Sequence, residues 1–190
     1  ERYFLRDCED AEFVHQYSTL WYNKHAVQFI NRYRGAFAKA CKEVYSKADV
    51  GFFYVEGEGV LRECPTYPNY LQEFGDLIIH RRISMNEYLE GCKKSDIVFN
   101  TPAVVGCHGW KLAEYLAMGK AIISTPLNNV MPGNFKAGVQ YYEVNSEEEI
   151  TDAVKRLKKD SVLKERLRAA AREYFDEYLA PCKVVKRIYE

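Results

Sequence analysis

Short apolar runs rich in β-branched and aromatic residues alternate along this 190-residue chain with longer stretches of helical period, and this alternation constrains the fold more than any other feature. Two runs, Asp96–Asn100 (DIVFN) and Ala121–Ser124 (AIIS), are continuously apolar rather than alternating, as expected of central strands buried on both faces. Each is followed by Thr-Pro. Val50–Val55 (VGFFYV), Leu77–His80 (LIIH) and Val139–Val144 (VQYYEV) read as further strands, and Phe13–Ser18 as a first one. Between them lie helical patterns. Ala26, Ile30, Tyr33, Phe37, Cys41 and Val44 recur at steps of three and four, and Ser84 with Glu87 spells a capping box before Met85–Lys94. Trp110–Met118 stops at Gly119, and Ser146 with Glu149 forms a second capping box. A last helix carries Leu163, Leu167, Tyr174 and Tyr178 and ends before Pro181, and Tyr70–Phe74 suits a short one.

Strand–helix alternation of this kind with right-handed crossovers gives an α/β fold: a Rossmann-like open parallel sheet of about six strands with helices on both faces. With 47% hydrophobic and 28% charged residues the chain can bury a core, so it is neither disordered nor fibrous. Neither repeats nor a Pro/Gly-rich linker divides it. Residues 1–190 are expected to form one domain, with 1–12 a linker or crossing segment and 161–190 a C-terminal helix and tail. Lys plus Arg equals Asp plus Glu at 27 each, so no bulk field attracts nucleic acid. No apolar run approaches the roughly 20 residues of a transmembrane span. Six scattered cysteines without a C-x-x-C read as reduced thiols in a cytoplasmic protein, and no metal site is expected. No charged-then-apolar leader is visible before the domain.

In open parallel sheets ligands bind beyond the carboxyl ends of the strands, at the point where strand order reverses. The loop before Trp110 is the best candidate there. Gly106 and Gly109 flank Cys107-His108, so first-turn amides can face an anion, with Lys111 adding a cation and Glu114 able to accept hydrogen bonds from vicinal hydroxyls such as those of a ribose. Charged residues at such positions are commonly ordinary solvated helix residues, and Lys155–Lys159 reads as a solvated basic face. Gly57-Glu58-Gly59 lacks the third glycine of a dinucleotide fingerprint and is followed by prolines rather than a helix, which argues against a nicotinamide cofactor. His80-Arg81-Arg82 lies at a strand end. Cys107 beside His108 lacks an orienting carboxylate, which disfavours nucleophilic catalysis.

The segment KLAEYLAMGKAIIST resembles the donor-binding segment of nucleotide-sugar-dependent, retaining-type glycosyltransferases with the two-domain GT-B architecture: a helix glutamate, then EAMA or EYLA, then G-K-P-V-I and a strand. Glu114, Tyr115, Leu116, Ala117, Gly119, Lys120, Ala121, Ile122 and Ile123 carry the match. Val55–Gly59 is similar to the family's strand and G-x-G. Arg81-Arg82-Ile83-Ser84 with Glu87-Tyr88-Leu89 resembles its G-x-V-S and E-L. Ser18–His25 matches the spacing of its first-strand Arg and Lys, with Lys24 retained and Thr19 in place of the arginine. The family's further glutamate, eight residues before Glu114, is Gly106 here.

The resemblance covers about Phe13–Tyr178 and implies the C-terminal, donor-binding half of such an enzyme. It implies a nucleotide-diphosphate sugar as donor, no metal or other cofactor, and Lys24 and Lys111 neutralising the leaving diphosphate. Glu114 would hold the ribose, with Gly109, Trp110, His108, Gly57, Gly59, Arg81 and Arg82 around the donor. It further implies an N-terminal acceptor-binding domain outside these residues and a glycan or lipid-linked acceptor, with peripheral membrane association open to the full-length enzyme. Two alternatives are a nucleotide-sugar epimerase of the same architecture and a non-catalytic module whose donor site has degenerated.

Overall fold

The computed structural model describes residues 9–22 and 29–189. Six strands all run parallel: β1 (Phe13–Thr19), β2 (Lys47–Phe53), β3 (Ile78–Ile79), β4 (Ile97–Asn100), β5 (Ala121–Ser124) and β6 (Tyr142–Glu143). They form two three-stranded sheets, β1-β2-β3 and β4-β5-β6, rather than the single ladder expected.

The two sheets meet along β1 and β4. There the Asp96 N–H donates to the Phe13 carbonyl (2.8 Å), and side chains take up further backbone groups. The His15 N–H donates to Ser95 Oγ (2.6 Å), and the Phe99 N–H donates to Gln16 Oε1 (3.3 Å). Buried backbone groups must be paired, and polar side chains satisfy them where the ladder lapses. The spatial order is therefore 3-2-1-4-5-6, with its reversal between β1 and β4.

Strand periodicity sorts the core into two layers. Phe99, Ile97, Ala121 and Ile123 face helices α1 (Ile30–Val44) and α6 (Glu147–Lys159) on one side, with Phe37 stacked on Phe99 at 4.9 Å. Val98 and Ile122 face α4 (Met85–Lys94), α5 (Trp110–Ala117) and α7 (Ser161–Tyr174) on the other. The Ser84–Glu87 capping box forms in full, and Gly119 ends α5 at φ +62°. Ser146 caps α6 through the Glu149 N–H, but the Glu149 carboxylate turns to the Asn145 N–H instead of completing the box.

Several boundaries depart from the sequence expectation. β2 begins at Lys47 because its polar start still pairs residue for residue with β1. β3 and β6 shrink to two residues each; Val139 and Gln140 belong to a turn instead, held by their N–H groups to the Lys136 carbonyl. A helix does follow Gly57: α2 (Glu58–Glu63) encloses Gly59, and α3 (Asn69–Phe74) comes after the prolines. The C-terminal tail is itself α8 (Pro181–Tyr189), joined to α7 through a π-turn at Phe175–Leu179. Among the described residues no helix is long and apolar enough to cross a membrane.

Candidate anion-binding site

A cavity of about 330 Å³ opens beyond the carboxyl ends of β1 and β4, where the strand order reverses. Its floor is the end of β1, with Gln16 and Thr19, and the end of β4, with Asn100 and Thr101. One wall is the entry to α5, Gly109-Trp110-Lys111, and the other is the start of α4 with Ile83, Ser84 and Tyr88. Gly109 caps α5 without a side-chain hydrogen bond, so no side chain of the cap competes for the amides of the first turn.

Among the described residues two cations line this cavity, Lys111 and Arg34, and none of the lining residues is an Asp or a Glu. Lys111 Nζ donates to the Tyr17 carbonyl (2.6 Å) and lies 5.4 Å over the Tyr88 ring. Burial, and next the Arg34 charge, push its ammonium down to about 8. Arg34 is held from α1. Its Nε donates to Thr101 Oγ1 (3.0 Å), an Nη1 N–H reaches the Thr19 carbonyl (3.3 Å), and the guanidinium sits 5.2 Å over the Trp21 ring. Burial lowers it to about 10. Asn31, one turn earlier on the same helix face, clamps the Trp21 backbone by accepting its N–H (2.9 Å) and donating to its carbonyl (2.8 Å).

Of the residues singled out from sequence, the structure brings Gly109, Trp110 and Lys111 together on the cavity wall. Glu114 stands behind that wall. Its carboxylate accepts the Tyr88 hydroxyl (2.8 Å), so Tyr88 lies between it and the cavity, and burial raises its carboxyl despite this hydrogen bond and the Lys111 charge. His108 is partly exposed in the preceding loop, with its Nε2 buried and without a hydrogen-bond partner among the described residues. Gly57 and Gly59, beyond β2, do not line the cavity. Neither do Arg81, paired with Glu87 at 2.9 Å on the surface, and the exposed Arg82. Lys24 lies outside the described residues. Arg34, Asn31 and Tyr88 were not singled out as site residues. Arg34 had a signal: it sits four residues after Ile30 and three before Phe37, a charge on the apolar stripe of α1.

Gly106 adopts φ +75°, and a Cβ there would stand 2.4 Å from Asn128 Nδ2, whose amide donates to the Gly106 carbonyl (3.3 Å). The loop is thus built around a residue without a side chain. Gly106→Ala is expected to cost about 1–2 kcal/mol from left-handed strain plus the displaced Asn128. Adding Asn128→Ala should recover the contact part only, a non-additivity that a denaturant double-mutant cycle reads directly.

The sequence model of the family described as "Glycosyl transferase-like" matches residues 25–185. No significant match is found among curated protein sequences. Solved structures do share the fold. The C-terminal domain of a glycosyl transferase group 1 family protein, LpcC from Francisella tularensis, is 16% identical with a TM-score of 0.57, covering 89% of this chain and 87% of that one. HepE from Anabaena in complex with UDP and glucose is 12% identical with a TM-score of 0.59, covering 94% of this chain and 47% of that one. TarM is 12% identical with a TM-score of 0.63, and here the chain spans 97% of its own length but 35% of its neighbour's. Two parallel sheets side by side in the spatial order 3-2-1-4-5-6, a cavity where that order reverses and a family match over most of its length together make this chain a member of the glycosyl transferase-like family, folded as the C-terminal domain of a group 1 glycosyltransferase.

Proposed function

We propose that this domain binds the nucleotide-diphosphate sugar donor of a glycosyltransferase whose acceptor is held by an N-terminal domain outside the present chain. The observation that carries the reading is the cavity at the strand switch point, lined by no carboxylate among the described residues, with Lys111 and the open start of α5 on its wall. A diphosphate bound there would meet an ammonium and helix amides where water is partly excluded, so each contact is stronger than in bulk solvent. The same groups face the charge that grows on the leaving diphosphate as the bond to the sugar breaks, and stabilising developing charge lowers the barrier. Lys24 would add a second ammonium, as its place in the resembling motif implies. UDP and UDP-glucose complexes of HepE favour a uridine donor for a domain of this fold. A glycan or lipid-linked acceptor follows from the same reading.

Glu114 would receive the ribose hydroxyls once Tyr88 releases it. Titration calorimetry with UDP, GDP and ADP tests donor binding, and no binding of any of them at millimolar concentration refutes it. Glu114→Ala should weaken UDP by about tenfold, the worth of a hydrogen bond to a charged group, and leave a 2′,3′-dideoxy diphosphate unaffected. Equal losses for both ligands would remove Glu114 from ribose recognition.

A further inference from the structure

We propose that Arg34, presented from the middle of α1, is a phosphate-binding residue of this cavity and forms with Lys111 a two-cation clamp on the donor diphosphate. The inference rests on the donor-binding reading, and concerns a residue that neither the motif nor its spacing assigns.

Three observations support it. First, Arg34 lines the cavity together with Lys111, and among the described residues no carboxylate shares the lining to neutralise either. A surface arginine normally finds an acid, as Arg81 does in Glu87 and Arg172 in Asp176. Two cations enclosed without a counter-ion destabilise each other and await one. Second, the guanidinium is positioned beforehand. Thr101 Oγ1 and the Thr19 carbonyl take one N–H each, the Trp21 ring supports its face, and Asn31 fixes the backbone of Trp21. Among the described residues this uses two of the five N–H donors of an arginine, leaving three for a ligand. Third, the fork matches phosphate geometry, so Arg34 can make paired hydrogen bonds while Lys111 acts as a point charge with two N–H bonds that no described residue takes up. Burial lowers both groups, and the Arg34 charge lowers the Lys111 ammonium further, as expected of two neighbouring cations drawn out of water.

Binding of inorganic pyrophosphate, UDP and uridine to the 190-residue chain, followed by calorimetry and by amide chemical shifts, tests the assignment. Arg34→Gln should weaken pyrophosphate and UDP by about 10- to 100-fold while leaving uridine binding unchanged. Arg34→Lys should restore only part of the loss, because it returns the charge without the fork. Thr101→Val keeps the guanidinium but removes an anchor, and should cost a few-fold. If Arg34→Gln binds pyrophosphate as tightly as the native chain, or weakens uridine as much as UDP, the assignment is overturned while donor binding stands. If the native chain binds pyrophosphate through Arg34 but no nucleoside diphosphate, the clamp stands and the nucleotide-sugar reading falls. Failure to bind either anion at millimolar concentration overturns both.

Discussion

Lys111→Met is expected to remove diphosphate binding almost completely while leaving the fold intact or firmer. Methionine fills similar volume with no charge to desolvate, and the lost partner is a single hydrogen bond to the Tyr17 carbonyl. Losing one member of an enclosed ionic contact costs about 2–5 kcal/mol of binding, roughly 30-fold to several thousand-fold in affinity. Stability should move the other way, with a pH signature. The folded protein holds the Lys111 ammonium at about 8 against 10.5 in an ordinary lysine, so between those values the unfolded chain binds more protons. The contribution of Lys111 to stability therefore rises with pH across that window, and below pH 8 the native chain carries the full cost, at most about 3 kcal/mol. Lys111→Met should thus gain most over the native chain near pH 7 and lose that advantage above about pH 10.5. Denaturant melts at pH 7 and pH 10 check it, and a variant that binds UDP normally or melts earlier at pH 7 contradicts it.

Asp96→Ala should act on the opposite end of the sheet and on stability alone. Asp96 is buried at the amino end of β4, where its carboxylate receives Lys164 Nζ (2.7 Å), Arg168 Nη2 (3.0 Å) and the Tyr45 hydroxyl (2.8 Å). Arg168 also bonds Glu9, which pairs in turn with the wholly buried Lys120 (2.6 Å). Removing the acid leaves two nearly buried cations without their common partner, a loss of about 3–5 kcal/mol. For a domain of this size that lowers the melting temperature by roughly 10 °C. UDP affinity below the melting range should be unchanged, because the cavity lies at the other end of the strands. A small shift in melting would mean that Glu9 and Glu165 suffice for both cations.

The central strands were legible in the sequence because burial on both faces leaves no polar alternation, so Ile97–Asn100 and Ala121–Ser124 fall close to their expected bounds. β2 starts three residues before the expected Val50 and ends two before the expected Val55. Its start carries Lys47 and Asp49, and Asp49 is retained there by His15 (2.8 Å) and Tyr17 (2.5 Å) across the strand, contacts that local pattern does not encode. α8 was read as a tail because Pro181 ends the preceding helix, yet proline is equally suited to a first helical position and opens the next one. The cavity wall at Gly109–Lys111 is local in sequence and was visible. Arg34 and Thr101 are 67 residues apart, and Tyr88 and Glu114 are 26 apart, so their meeting depends on strand order, which only the fold supplies.

The most direct measurement is the titration of the Lys111 ε-ammonium by NMR with and without UDP. A diphosphate in the cavity must favour the charged form, so the account predicts a signal that titrates near pH 8 in the free chain and remains protonated past about pH 9 when UDP is bound. A Lys111 signal that UDP leaves unmoved at millimolar concentration would contradict it.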